Sequence, residues 1–394
     1  MIKGKKEKLN IAVMGSVTLP IPPFNGYGGT QRGVYDFLTH MNEKGHRLHL
    51  FGPEDSEVSD LKNVVLHSFV KKSLWIPENK LSAEVKREHS QEHYKRSLEV
   101  LDEVNKQEGI DIINIRKDNL GFIQDIVDTF GPERVVYSLH NVKDQARIDI
   151  IKNLEILCIA HCRNHREQHG NLQNIKTITY GINVSLYPFL ENNLTESNDI
   201  LTLDILKRLK EGGENYLLSL GGIGSHKGQR TCIELAKETK IPLIIAGTPQ
   251  DRTQNKNQRY FDEEIKHHID GKNIIYFGNA NEEEKKDLLK FSKGFLFPSG
   301  YEDKAWNEPF GRTTVEALAC GTPVIAYRKG SMEEVIFDGF NGYLFDSSEE
   351  AVRQIKSLDY IERKNCRETA EKKFDSKRVS DEYESLFYKI LNTS

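Results

Sequence analysis

The sequence is poor in cysteine, in net charge and in long apolar runs. Only five of its 394 residues are cysteines, and they are scattered along the chain: Cys158, Cys162, Cys232, Cys320 and Cys366. An odd, dispersed set is not a disulfide framework, which predicts a reducing, cytoplasmic setting. The balance of 55 basic against 59 acidic residues gives a net charge of −4, so no general affinity for nucleic acid is expected. No apolar stretch approaches the ~18 to 20 residues of a membrane span.

The N-terminus is basic and then briefly apolar. Four lysines stand at its start: Lys3, Lys5, Lys6 and Lys8. The apolar run from Ile11 to Met14 that follows them is too short for the core of a signal peptide, so it predicts a first β-strand. The lysines allow a weak peripheral contact with anionic lipid, although a solvated tail is the favoured interpretation.

Chain length and the alternation of local patterns predict two α/β domains. A chain of 394 residues exceeds one compact core. In the first half, short apolar strands at 10–14, 47–51, 111–115 and 135–139 alternate with amphipathic helical stretches. The same alternation restarts at Tyr216. Two successive βαβ series predict two Rossmann-like, doubly wound domains that face each other across a cleft.

The predicted boundaries follow from changes in composition. Residues 1–190 form the first domain, and residues 216–375 form the second. The polar segment 191–215, which carries a short helical pattern, is the predicted interdomain linker. The last stretch, 376–394, carries an apolar helical face made by Val379, Tyr383, Leu386 and Ile390.

The most specific motif runs from residue 306 to residue 324 and reads W-N-E-P-F-G-R-T-T-V-E-A-L-A-C-G-T-P-V. Glu308 precedes Pro309 and is therefore expected on an extended loop, whereas Glu316 falls within a predicted helix over 313–319. Gly311 permits a close approach to the backbone. A helix start with free N–H groups attracts phosphate, and two nearby carboxylates accept hydrogen bonds from hydroxyls. A ligand that carries both kinds of group is a sugar nucleotide.

This motif resembles the E-x7-E element of family-4 retaining glycosyltransferases, which have the GT-B fold, and the resemblance covers nearly the whole chain. It implies that Glu316 binds the ribose hydroxyls and that Glu308 lies beside the donor sugar. The backbone N–H groups of Phe310, Gly311 and Arg312 would hold sugar hydroxyls and help with the diphosphate. The resemblance also implies that helix 376–394 crosses back onto the N-terminal domain. The plain alternative is a helix that ends in ordinary loop residues.

A second match lies in Gly221–Gly228, which follows a strand and opens a helix. It resembles the family's diphosphate loop, G-R-x-x-x-x-K-G, so Lys227 is the expected phosphate-neutralising lysine. The family's arginine falls at Gly222, so one cation is missing. Three alternatives follow from this missing charge. Arg312 or Arg230 compensates for it, the sugar donor binds in an altered pose, or catalysis is weakened. The alternative for Lys227 is a solvated lysine, which the helix dipole disfavours at this end.

The first domain offers a glycine loop and a histidine. Within Gly26–Thr30, the adjacent Gly28 and Gly29 let backbone N–H groups reach an anion or a sugar. The resemblance places such a pair over the donor phosphates, and a plain loop is the alternative. Gln31 stands where related sequences often carry Glu. His140 matches a histidine that faces the donor sugar, with a structural hydrogen bond as the alternative.

Three histidines, His161, His165 and His169, recur at every fourth position, close to two of the cysteines. On one helical face they could bind zinc. No carboxylate or C-x-x-C partner supports a metal site, and histidine-rich surface helices are common. No metal is expected, and the enzymes that the chain resembles need none.

Two segments next to the motifs have less specific roles. Tyr301–Ala305 is additional length just before the main motif, and it either shapes the choice of donor or acceptor or forms a neutral surface insertion. Arg328–Ile336 resembles the family's loop after the last core strand and is expected to support the site.

These features predict a cytoplasmic, metal-independent retaining glycosyltransferase of the hexosyltransferase type. It would move a sugar from a nucleotide diphosphate, UDP by default with GDP and ADP open, to an acceptor hydroxyl in glycan, polysaccharide or glycoconjugate synthesis. The resemblance assigns catalytic roles to Glu308, His140 and Lys227. One rival is a sugar-nucleotide epimerase, which would need acid–base pairs around the sugar ring. The other is a non-catalytic, degenerate GT-B subunit that binds sugar nucleotides, which Gly222 favours.

Overall fold

The computed structural model describes residues 7–23, 28–76, 79–116, 119–140, 145–170, 172–192, 195–197, 199, 201–249 and 255–393. Of the four N-terminal lysines, Lys3, Lys5 and Lys6 lie outside the described residues. Lys8 donates a hydrogen bond from Nζ to the carbonyl oxygen of Lys44.

The described residues alternate strongly between strands and helices. The strands are β1 Asn10–Met14, β2 Arg47–Phe51, β3 Val64–His67, β4 Ile112–Ile115, β5 Val135–Ser138, β6 Leu157–Ala160, β7 Ile175–Thr177, β8 Leu217–Leu220, β9 Leu243–Ala246, β10 Ile274–Gly278, β11 Gly294–Phe297, β12 Val324–Tyr327 and β13 Gly342–Phe345. The helices are α1 Gly29–Glu43, α2 Ala83–Glu108, α3 Leu120–Phe130, α4 Gln145–Asn153, α5 Arg163–Gln168, α6 Asp204–Glu211, α7 Gln229–Thr239, α8 Lys256–Tyr260, α9 Glu282–Phe291, α10 Arg312–Ala319, α11 Met332–Val335, α12 Ser348–Lys356, α13 Arg363–Phe374 and α14 Ser376–Thr393.

The strands form two parallel sheets. The first has seven strands in the order β3-β2-β1-β4-β5-β6-β7, and the second has six in the order β10-β9-β8-β11-β12-β13. In each sheet the strand order reverses beside the first strand of the unit, at β1/β4 and at β8/β11. The carboxyl edge at such a switch point is where open α/β sheets bind ligands. The predicted pair of Rossmann-like α/β units is confirmed.

The chain passes between its two compact units earlier than the sequence predicts. The first unit comprises the described parts of 1–24, 28–181 and 376–394, and residues 182–375 lie in the second. The segment 191–215, predicted as the linker, lies within the second unit. It was misplaced because its polar composition was given more weight than its short helical pattern, which is the helix α6 and buries Leu206 and Leu209 almost completely. A helix that buries its apolar face is a packed element rather than a tether.

Helix α14 belongs to the first unit, as predicted. Its side chains Tyr383 and Phe387 are buried and meet Phe37 of α1 edge to face, with ring centroids 5.6 and 6.3 Å apart. Val379 and Leu386 pack into the same apolar cluster. The apolar period read from the sequence is therefore the face that docks this helix on α1.

All five cysteines are buried thiols. Burial raises the pKa of four thiols to about 12, and these belong to Cys158, Cys232, Cys320 and Cys366. Among the described residues, no helix is both long enough and apolar enough to cross a membrane.

Candidate functional site

The start of helix α10 is held by a loop that only glycine fits well. Gly311 caps the helix with a left-handed φ of 76°. A Cβ on Gly311 would lie 2.8 Å from Cε of Met332, so the position is both conformationally and sterically restricted. The N–H groups of Gly311 and Thr313 have no hydrogen-bond partner among the described residues. This helix tip therefore presents donors that an anion or a hydroxyl can use.

The loop before this tip is supported from the segment 328–336, as predicted. Ser331 Oγ donates to the carbonyl oxygen of Phe310 over 2.7 Å, and Ser331 N–H donates to that of Glu308 over 3.3 Å. A Cβ on Gly330 would lie 2.8 Å from the Glu308 carbonyl oxygen. The backbone around Glu308 is thus fixed by close contact with the neighbouring loop. The ring of Phe310 is buried.

Lys227 and Glu308, from two separate sequence motifs, form an ion pair. Lys227 Nζ lies 2.5 Å from Glu308 Oε2, with the lysine side chain 24% exposed and the glutamate 11% exposed. Ser299 Oγ and Trp306 Nε1 also approach this oxygen, at 3.1 and 3.4 Å. A partly exposed lysine and carboxylate at one point can meet both the phosphate and the sugar of a donor.

The environment keeps Glu308 ionised. Burial by itself raises the pKa of this carboxyl group. The charge of Lys227 and the hydrogen bonds from Lys227, Ser299 and Trp306 outweigh burial, so the pKa of Glu308 is lowered from its usual value. Glu308 is therefore a carboxylate at neutral pH, suited to accept a hydrogen bond or stabilise positive charge rather than to donate a proton.

The loop with Lys227 is shaped by a buried glutamine. Gln229 Oε1 accepts from the N–H of Gly224 over 3.2 Å, and Gln229 Nε2 donates to the carbonyl oxygen of Gly222 over 3.1 Å. The backbone at Gly222, the position of the arginine in the diphosphate loop that this segment resembles, is thus engaged by a side chain of the following helix. Both arginines that could replace it already form ion pairs: Arg230 pairs with Glu234 and Glu264, and Arg312 pairs with Glu316.

The tip of helix α7 is occupied by side chains that the sequence did not reveal. Glu302 Oε1 accepts from both the N–H and the hydroxyl of Thr231, at 2.8 Å each. Tyr260 OH donates to Glu302 Oε2 over 2.8 Å and accepts from the N–H of Arg230 over 3.0 Å. These N–H groups are used within the unit. Glu302 lies in the 301–305 segment, so this additional length caps a helix instead of forming a neutral insertion.

Glu316 is more deeply buried than Glu308. Its carboxylate is 3% exposed, and it lies 3.1 Å from Arg312 Nε and 3.3 Å from Lys285 Nζ. Lys285 is itself almost fully buried and also pairs with Glu282 at 3.1 Å. The two motif carboxylates are thus held differently, and Lys285 was missed because it comes from another helix, α9. The ribose contact of Glu316 stays a prediction.

The predicted residues of the first unit lie at the start of α1 and at the end of β5. Gly28 is the residue before α1, and Gly29 is its first residue. Gly26 and Tyr27 lie outside the described residues. Gln31 is buried and donates from Nε2 to Thr18 Oγ1 over 3.1 Å, so its amide is turned into the unit.

His140 is positioned by a tyrosine. Its Nδ1 lies 2.7 Å from Tyr180 OH, and its ring stacks on that of His161 with centroids 5.4 Å apart. The predicted structural hydrogen bond is therefore present, and the predicted contact with a donor sugar stays a prediction. Sequence reasoning missed Tyr180, which follows β7 and approaches His140 only through the fold.

The three periodic histidines are not on a surface helix, so that interpretation was wrong. His161, His165 and His169 are all buried, and the helix α5 spans only Arg163–Gln168. They serve local hydrogen bonds instead: His161 Nδ1 to the Ile178 carbonyl oxygen and His169 Nδ1 to that of His165. Burial and the nearby His140, His165 and Arg116 keep the pKa of His161 well below its usual range. The described residues contain no cluster suited to a metal ion.

The fold, with two parallel α/β units in one chain, is of the GT-B type. Solved structures of this class resemble it over nearly their whole length. HepE of Anabaena, crystallised with UDP-glucose, superposes with a TM-score of 0.67 at 17% identity, covering 96% of this chain and 99% of that one. Sucrose-phosphate synthase of Thermosynechococcus elongatus gives 0.73 at 16% identity, covering 98% and 100%.

Sequence comparison is more specific for the second unit. Residues 203–373 match the family described as Glycosyl transferases group 1. A protein of Methanocaldococcus jannaschii, named an uncharacterized glycosyltransferase, is 25% identical over 182 residues, which is 46% of this chain and 48% of that protein. The matched part thus spans about half the length of such curated relatives. Lys227, Glu308 and Glu316 all fall within the matched family region.

Proposed function

We propose that this protein is a retaining glycosyltransferase that moves a sugar from a nucleotide diphosphate, UDP by preference, to an acceptor hydroxyl in glycan, polysaccharide or glycoconjugate synthesis. The observation that carries the proposal is the Lys227–Glu308 ion pair beside the start of α10, where backbone N–H groups are available to a ligand. Both features lie inside the region that matches the glycosyltransferase family. The preference for UDP rests on the UDP-glucose complex of the structurally similar HepE.

Each side chain has a task in this proposal. Lys227 gives up part of its contact with Glu308 and neutralises the charge of the diphosphate. This neutralisation stabilises the departing nucleotide. Glu308, kept ionised, accepts a hydrogen bond from the sugar and stabilises the positive charge of an oxocarbenium-like transition state. The N–H groups of Gly311 and Thr313 bind phosphate or hydroxyl oxygens. The leaving phosphate takes the acceptor proton on the same face, so no separate base and no metal is required.

The first unit would supply the remaining contacts. Gly28 and Gly29 at the start of α1 would approach the phosphates through their N–H groups. His140, fixed by Tyr180, would hydrogen-bond a sugar hydroxyl or the charge that develops at the reacting carbon. Glu316 would hold the ribose hydroxyls with the help of the buried Lys285 and the partly buried Arg312.

A stability screen tests this proposal. UDP-, GDP- and ADP-sugars are added to the protein, and the melting temperature is followed, because a ligand that binds only the folded state raises it. We expect a UDP-sugar to give the largest rise and Lys227→Met to remove most of it. A matched control is Lys286→Met, which removes a lysine that pairs with the exposed Glu283 on α9. If no nucleotide sugar stabilised the protein, the proposal would be wrong.

One observation favours a second candidate, a degenerate subunit that binds nucleotide sugars without transferring them. The diphosphate loop lacks its arginine at Gly222, and Lys227 is already committed to Glu308. Donor binding that raises the melting temperature, together with no release of UDP in the presence of mixed sugar, lipid and glycan acceptors, would support this candidate over the transferase.

A further inference from the structure

Trp306 contacts both members of the ion pair and the residue before the lysine. Its Nε1 lies 3.4 Å from Glu308 Oε2, and Lys227 Nζ lies 5.5 Å from its ring centroid. Its ring also meets that of His226, the residue before the lysine, with centroids 4.7 Å apart. A lysine over an indole face is attracted by the ring's electron density. One side chain thus touches both members of the pair and the loop that carries the lysine.

The contacts of Glu308 are one-sided. Lys227, Ser299 and Trp306 all approach the same oxygen, Oε2. No described residue donates a hydrogen bond to Oε1. A carboxylate with one oxygen fixed by three donors presents the other in a defined direction, which is what recognition of a single sugar hydroxyl needs.

The segment that carries Trp306 is fastened at its other end to helix α7. Glu302 accepts two hydrogen bonds from Thr231 and one from Tyr260. Within the segment, Trp306 N–H donates to the carbonyl oxygen of Asp303 over 3.0 Å, which closes a turn. Residues 301–306 therefore tie the helix that follows the lysine loop to the carboxylate of the main motif.

We propose that Trp306 is the positioning residue of this site: its indole N–H aims Glu308 at the sugar, while its ring holds Lys227 at the diphosphate. This rests on the proposed function, and it assigns a purpose to the additional residues before the motif. Phenylalanine at this position would keep a ring near the lysine and remove the N–H. Alanine would remove both.

The chain contains a matched control. Its other tryptophan, Trp75, lies in the first unit and also has a lysine over its ring, with Lys86 Nζ 5.1 Å from the centroid. Trp75→Phe therefore repeats the chemical change of Trp306→Phe at a second lysine–indole contact, outside the region that matches the glycosyltransferase family. Trp75→Phe also leaves Trp306 as the single indole fluorophore, which reports on the site directly.

The decisive measurement compares two ligands by calorimetry: UDP, and UDP-glucose or whichever UDP-sugar stabilises most in the screen. Trp306→Phe should lose about tenfold in affinity for the UDP-sugar, the range of one hydrogen bond to a charged group, and keep its affinity for UDP. Trp306→Ala should lose affinity for both, and Trp75→Phe for neither. Because the lost N–H raises the pKa of Glu308, the UDP-sugar affinity of Trp306→Phe should also fall off at a higher pH than that of wild type.

The outcomes separate the inference from the function on which it rests. In Trp75→Phe, the emission of Trp306 should change saturably with UDP. Equal losses for UDP and UDP-sugar in Trp306→Phe, or no loss, would overturn the positioning role and leave the transferase proposal intact. Absence of binding by the wild-type protein to every nucleotide sugar would overturn both. Circular dichroism of each variant shows whether a loss reflects unfolding.

Discussion

At the scale of single residues, the two carboxylates of the E-x7-E motif are of different kinds. Glu308 is partly exposed and tied to one lysine, whereas Glu316 is buried between Arg312 and Lys285. Their spacing predicts that one lies before the helix and one within it, and the structure agrees. The spacing could not reveal Lys285, because burial of a charge is decided by neighbours from other elements.

Glu316→Gln should be strongly destabilising. It leaves the buried Lys285 and the partly buried Arg312 without their shared carboxylate, and breaking a buried ion pair costs about 3 to 5 kcal/mol. The free energy of unfolding, measured by urea titration, should fall by that order. Glu283→Gln removes the exposed partner of Lys286 on α9 and should change it by less than about 1 kcal/mol. Equal effects of the two variants would contradict the structural importance of Glu316. Loss of donor binding in Glu316→Gln is informative only at a temperature where the variant is folded.

Glu308 should give a pH-dependent contribution to stability. Its pKa is lowered in the folded protein, so the ionised carboxylate stabilises the fold above its ordinary pKa, and this contribution is lost as the pH falls through the lowered value. The difference in free energy of unfolding between wild type and Glu308→Gln should therefore be largest near neutral pH and shrink as the pH falls below the ordinary glutamate pKa of about 4.3. Urea titrations at several pH values measure it. A difference that grows on acidification would show that the pKa is raised instead.

At the scale of elements, the periodic spacing of apolar residues predicted which helix faces are buried, whereas polar contacts between distant elements could not be predicted. The face of α14 was readable because Val379, Tyr383 and Leu386 recur with the helical period, and burial follows period. Helix α6 was read as linker because its polar residues outnumber its few buried leucines. The cap of α7 by Glu302 was not readable at all, since Glu302 and Thr231 are 71 positions apart in the chain and meet only in the fold.

The docking of α14 should depend on one carboxylate. Glu384 lies 2.8 Å from Nε2 of the fully buried His46 and 2.6 Å from Lys44 Nζ. Glu384→Gln should lower the free energy of unfolding by about 1 to 3 kcal/mol, because hydrogen bonds to a charged group are lost. Glu382→Gln removes the exposed partner of Arg378 on the same helix and should cost less than about 0.5 kcal/mol. Urea unfolding of the two variants gives the comparison, and similar values would argue against the role of Glu384.

At the scale of the whole molecule, each unit has its own sheet and its own buried core. Such chains need not unfold in a single step. The predicted number of units and their class were correct because strand–helix alternation restarts clearly at residue 216. The crossing after Gly181 was not readable, since no change in composition marks it.

The two tryptophans should report separate unfolding events. Trp306→Phe leaves Trp75 to follow the first unit, and Trp75→Phe leaves Trp306 to follow the second. Fluorescence melting curves of the two variants should not coincide. UDP at about 100 times its dissociation constant should raise the Trp306 midpoint by about 5 °C and the Trp75 midpoint by less. Coincident curves that shift together would show one cooperative system.

The burial of every thiol has a practical consequence. Reagents that alkylate cysteine attack the thiolate, and thiols with a pKa of about 12 that are shielded from solvent scarcely form it. The native protein should therefore not react with iodoacetamide. A cysteine that becomes labelled on warming shows that the structure around it has opened. Labelling of Cys158 reports the opening of the first unit, and labelling of Cys232, Cys320 and Cys366 reports the opening of the second.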